Sequence, residues 1–148
     1  MHNRREFCQV ASLISVASVI QACGGSSTSP SDNVPALTMV SGSVSGNTVT
    51  VTVDAASPLA AVGAAALVQA SNGNFLVAHT AQDTFVAVTA ICTHQGCTVS
   101  GLSNSTYVCP CHGSRFSFAG TVVQGPAASP LRQFATRFAS PTLTITIA

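Results

Sequence analysis

Alternation of apolar and polar residues is clearest at Thr48-Val-Thr-Val-Thr-Val53, which places Val49, Val51 and Val53 on one face of an extended strand. The pattern returns near the C-terminus at Leu143-Thr-Ile-Thr-Ile147, a segment expected to close the same sheet. Between them, Phe75-Leu-Val-Ala78 and Phe85-Val-Ala-Val88 are short apolar runs that read as strands leading towards Cys92. Gly46-Asn47 and Asn72-Gly73 supply turn chemistry between such runs. The run Ala64-Ala-Ala-Leu-Val68 has helix-forming alanines, but Pro58 and Gly63 shortly before it argue against a long helix. The abundance of Val and Thr agrees with a sheet-rich, all-β chain, and no internal repeat is evident.

Residues 1–35 follow a different pattern and predict addressing and tether rather than fold. Asn3-Arg4-Arg5-Glu6-Phe7 resembles the core of a twin-arginine export signal, with Cys8 and Gln9 departing from its usual residues. An uncharged run from Phe7 to Ala22 is about the length of a signal-peptide core and short for a membrane span. It ends at Ile20-Gln-Ala-Cys23-Gly24, which resembles a lipoprotein cleavage box with Cys23 as the acylated residue. The expected organisation is a signal over 1–22, a Ser/Gly/Pro tether over 23–35 and one domain over 36–148. An uncleaved signal anchor is the alternative for the N-terminus. Stable anchoring through Cys23 would need more than one acyl chain.

Composition narrows the partners. The 148 residues carry only 6% charged side chains and no Lys, and the part beyond Cys23 balances three Asp against three Arg. No basic patch supports nucleic acid as a partner. The length suits one domain with a real core.

The chemistry lies between Cys92 and Ser114. Cys92-Thr-His94-Gln-Gly-Cys97 and Cys109-Pro-Cys111-His112-Gly-Ser114 read as two loops, separated by eleven residues that predict a strand-turn-strand. Interleaved Cys and His at this density point to a metal site rather than to a disulfide framework alone. Two thiolates for one iron and two imidazoles for the other is the donor set of an asymmetrically held two-iron cluster. The same four residues could hold a structural zinc, which would leave the second Cys pair unexplained.

The two motifs resemble those of the Rieske [2Fe-2S] proteins, in the high-potential branch with a disulfide between the cluster loops. The resemblance covers roughly Leu59 to Ala148. It implies an antiparallel β-sandwich or barrel with a small cluster-binding subdomain at about 91–130. It implies Cys92, His94, Cys109 and His112 as ligands and Cys97–Cys111 as the bridge; the other reading of Cys97 and Cys111 is as spare thiols or ligands. By the same likeness Ser114 donates to a cluster sulfide, and Gly125-Pro126 belongs to a loop covering the cluster. Phe116 stands where the highest-potential members carry a Tyr, so a lower potential is expected within the family's span of about −150 to +300 mV. His79 is expected to be structural or at the surface.

The function so implied is one-electron transfer by an exported, membrane-anchored protein with redox-protein partners and no catalytic site of its own. The alternative is the Rieske subunit of an oxidoreductase, either a quinol:cytochrome enzyme or an arsenite-oxidase-like molybdenum enzyme. Gln95, where the respiratory family usually has an apolar residue, weighs against the quinol version. Export of a folded domain reconciles a cluster assembled in the cytoplasm with a disulfide that persists only under oxidising conditions.

Overall fold

A computed structural model describes residues 34–148. The expected signal, the cleavage box, Cys23 and nearly all of the tether lie outside the described residues. Within them the chain forms twelve strands and no helix. Eight make one sheet: β1 (Thr38–Ser41), β2 (Ser43–Ser45), β3 (Thr48–Thr52), β4 (Ala65–Ala70), β5 (Gly73–Ala81), β6 (Thr84–Thr89), β11 (Gln133–Ala139) and β12 (Thr142–Thr146). Their order is β1-β4-β5-β6-β11-β12-β3-β2.

The two edges of this sheet, β1 and β2, are successive parts of one segment interrupted by Gly42. The segment pairs in parallel with β4 and then antiparallel with β3, so the sheet nearly closes into a barrel. Gly42 sits at the inside of that corner: a Cβ there would stand 2.6 Å from Val49 Cγ1 and 3.0 Å from Val68 Cγ1. Only a residue without a side chain lets the strand change partners at this point.

Burial explains why some strands alternate and others do not. The barrel interior holds Val49, Val51, Val53, Leu59, Val68, Phe75, Val77, Phe85, Ala87, Leu143 and Ile145. Strands β3 and β12 bury only this face, so Thr fills their outer positions, as the sequence predicts. Strands β4, β5 and β6 are covered on both faces. Their other side contributes Leu67, Leu76, Ala78 and Val88 to a second core, which accounts for their continuous apolar runs. The alanine run at 64–68 therefore lies mainly in β4, paired residue for residue with β5.

That second core is roofed by a four-stranded sheet, β10-β9-β8-β7, built from Gly101–Ser103 (β7), Thr106–Val108 (β8), Arg115–Phe116 (β9) and Val122–Gln124 (β10). Hairpin β7–β8 is the strand-turn-strand expected between the motifs, turning at Asn104 and Ser105 with φ of 50° and 58°. The predicted turns at Gly46-Asn47 and Asn72-Gly73 also form, linking β2 to β3 and β4 to β5.

Candidate metal centre

The two motifs fold into loops with the same backbone plan. In the first, Cys92 N–H bonds to the Cys97 carbonyl at 2.8 Å and Gly96 N–H to the Cys92 carbonyl at 2.9 Å. In the second, Cys109 N–H bonds to the Ser114 carbonyl at 2.8 Å and Gly113 N–H to the Cys109 carbonyl at 3.0 Å. Each loop turns on a glycine at positive φ, 74° at Gly96 and 79° at Gly113. The shared signal, Cys-x-x-x-Gly-x, was present in the sequence although no repeat was apparent there.

This geometry brings the predicted residues together in two pairs. Cys92 and Cys109 are reduced, buried thiols within hydrogen-bonding reach of each other. His94, half-buried, and His112, exposed, face each other with Nδ1 atoms 3.3 Å apart and rings nearly perpendicular at 82°. Two nitrogens each about 2.1 Å from one tetrahedral metal ion stand about 3.4 Å apart, so this pair fits a shared ion. Burial raises the Cys109 thiol above its ordinary range, and the neighbouring Cys92 thiol raises it further. Main-chain N–H groups of Cys111 and His112 directed at its sulfur act the other way. Those donors favour a thiolate, the form a metal requires.

Cys97 and Cys111 are joined in a disulfide, their Cα atoms 6.5 Å apart. Their sulfurs and that of Cys109 lie within 4.8 Å of one another, but the bridge removes two of the three from ligand duty. The covering segment is fastened to both loops. Thr93 Oγ1 donates to the Ser129 carbonyl at 2.6 Å, and Ala127 N–H donates to Ser114 Oγ at 3.0 Å. Gly125 and Pro126 are exposed at the rim of this segment, while Ala127 is its buried contact. Ser114 is fully buried, and its Oγ accepts a bond in this arrangement, leaving its own hydrogen available to donate.

Phe116 is fully buried on β9, between Tyr107 of β8 and Val122 of β10. Gln95 is exposed between the two ends of the first loop, and Arg115 is half-buried. His79 lies apart from the loops and is structural: its ring is buried against Phe85 at 4.2 Å, and Nδ1–H donates to the Leu59 carbonyl at 2.8 Å.

Sequence reasoning passed over Tyr107, whose side chain is fully buried and whose hydroxyl has no partner among the described residues. Burial pushes this hydroxyl far above the usual tyrosine range. An unfolded chain ionises its tyrosine near about pH 10, so the folded state's advantage is complete below that value and is lost as pH rises past it. The cluster-free protein is therefore expected to lose up to about 1.4 kcal/mol of stability per pH unit above about pH 10 from this group. Denaturant titrations at stepped pH should show Tyr107→Phe removing that slope.

Two buried thiols close to each other and two imidazoles facing each other, on loops linked by one hairpin, make a metal-binding site. Residues 49–135 match the Rieske [2Fe-2S] domain, and the chain belongs to that family. Its cofactor is the Rieske-type [2Fe-2S] cluster. Over 52 residues, 34% of this chain, it is 42% identical to the cytochrome b6-f complex iron-sulfur subunit of Chlorobaculum thiosulfatiphilum; the match spans 29% of that protein's length. Over 47 residues, 31% of this chain, it is 55% identical to the putative Rieske 2Fe-2S iron-sulfur protein YhfW of Bacillus subtilis, spanning 9% of that protein. Among solved structures, the plasma membrane Rieske protein PetC3 of Synechocystis aligns at 31% identity and a TM-score of 0.54. That alignment covers 65% of this chain and 98% of the other.

Proposed function

We propose that Cys92 and Cys109 hold one iron of the cluster and His94 and His112 the other, in a one-electron carrier on the outer side of the membrane. The observation that carries this reading is that the same two loops bring two buried thiols within reach of each other and two imidazoles to an Nδ1 separation of 3.3 Å. When bound, the cluster supplies a one-electron couple whose two thiolates and two sulfides balance two ferric ions, a neutral centre that accepts an electron readily.

The chain's own groups do the rest. The main-chain N–H groups of Cys111 and His112 support negative charge on Cys109. The Ser114 hydroxyl has a hydrogen free for a cluster sulfide. Segment 125–131 is tied to both loops and buries Ala127 and Leu131 against the same core as Cys92 and Cys109. The exposed edge of His112 gives electrons an entry and exit.

Electron paramagnetic resonance of the reduced protein, with iron and sulfide analysis, tests the assignment. A rhombic signal with two irons per chain is expected; one zinc and no signal would overturn it. Phe116 predicts the position within the family range. Because its ring cannot donate, Phe116→Tyr is expected to raise the midpoint potential in a redox titration, and no upward shift would contradict that.

The disulfide and the N-terminal pattern support an exported lipoprotein anchored through Cys23, on the periplasmic side or the cell surface. Mass spectrometry of the mature protein is expected to find acylated Cys23 at the N-terminus, and an intact Met1 on membrane-bound protein would exclude it. A second reading, a subunit of an oxidoreductase complex, draws support from the likeness to cytochrome b6-f iron-sulfur subunits. Exposed Gln95 and buried Phe116 favour the free carrier, and purification from native membranes, alone or with partners, separates the two.

A further inference from the structure

A buried hydroxyl without an acceptor is unfavourable by about 1–3 kcal/mol, and Tyr107 carries one. The core it belongs to includes Leu37, Leu67, Leu76, Val88, Val99 and Phe116, whose side chains carry no acceptor. The same core contains the buried thiols of Cys92 and Cys109, yet no protein atom among the described residues, sulfur included, accepts the hydroxyl's hydrogen. Tyr107 and Cys109 are two residues apart on the extended run leaving β8, so their side chains leave it on the same side. Phe116, directly across from Tyr107, has no hydroxyl to compete.

We propose that the Tyr107 hydroxyl donates a hydrogen bond to a sulfide of the bound centre and so raises its reduction potential. The inference rests on the reading of Cys92 and Cys109 as ligands. Its physical basis is that reduction adds negative charge to the sulfurs, so a bond from a fixed donor is stronger in the reduced state. The apolar packing excludes water that would otherwise screen it. Tyr107 would thus supply from β8 a donor that Phe116 cannot supply from β9.

The test compares Tyr107→Phe with the unsubstituted protein, both loaded with cluster. Tyr107→Phe should keep the rhombic signal and its iron. At a fixed ambient potential its ratio of reduced to oxidised centre should fall about three- to tenfold, tenfold being 59 mV for one electron. Pulsed resonance in deuterated buffer should lose one exchangeable deuteron coupled to the centre. An unchanged ratio and unchanged coupling, with cluster content intact, would overturn the proposal and place a buried water on the hydroxyl. Should Tyr107→Phe fail to load, 3-fluorotyrosine at 107 keeps the volume and strengthens the donor. The reduced fraction should then rise, and an unchanged fraction overturns the proposal. Failure of the ligand assignment itself would show separately, as no rhombic signal in the unsubstituted protein.

Discussion

Replacing His112 with Ala is expected to abolish cluster binding while leaving the fold in place. The imidazole is exposed, and its described contacts are with His94: the facing Nδ1 atoms at 3.3 Å and the perpendicular rings. Its removal opens no cavity, because neither apolar core includes it. It does take away half of the nitrogen pair that would hold one iron. Loss of groups that merely orient a ligand weakens metal affinity about 10–100-fold, and loss of a direct ligand should exceed that. Iron content and visible absorbance should therefore fall by more than about tenfold, with far-UV circular dichroism unchanged. Gln95→Ala, beside the same site but exposed and without a described bond, should retain full iron. Full iron in His112→Ala would remove this residue from the ligand set.

Removing the Cys97–Cys111 bridge should have the largest effect on stability, and that effect should be local. The residues are 14 apart in sequence, and closing a loop of about that length restrains the unfolded chain by about 3 kcal/mol in the chain-entropy account. The bridge also joins the two loops directly, beside Cys109. Neither half-cystine belongs to the barrel interior, whose Val, Phe, Leu and Ile side chains form a separate core. The double variant Cys97→Ala/Cys111→Ala should thus release iron at lower denaturant concentration than unfolds the barrel. Cluster absorbance and far-UV circular dichroism, followed together, should give two transitions. Coincident transitions at the original midpoint would show that the bridge does not hold the loops.

Strands β3 and β12 were legible by alternation because each has one wet face, whereas β5 and β6 showed only as short apolar runs. At β3 and β12 the outer Thr and inner Val, Leu or Ile alternate because solvent and core compete across a single strand. Strand β11 escaped the sequence reading because its half-buried positions Phe134, Thr136 and Phe138 include a polar residue and its exposed ones include apolar Ala135, which blurs the alternation. The ligand motifs were legible because metal chemistry restricts residue type at short spacing. Tyr107 was not: in sequence it is an ordinary strand aromatic, and only packing shows that its hydroxyl is buried without a partner.

The sequence by itself determined an all-β fold, two loops of interleaved Cys and His, and the family to which they belong. These follow from local rules: periodicity, turn chemistry and ligand spacing act over a few residues. Only the tertiary structure decided how the pieces meet. It paired Cys97 with Cys111 in space, set the imidazoles against each other, and showed the two loops to be one backbone design used twice. It also fastened segment 125–131 across both loops through Thr93 and Ser114 and closed the barrel at Gly42. Each of these depends on contacts between residues far apart in the chain, whose distances are fixed by packing and not by spacing along the sequence.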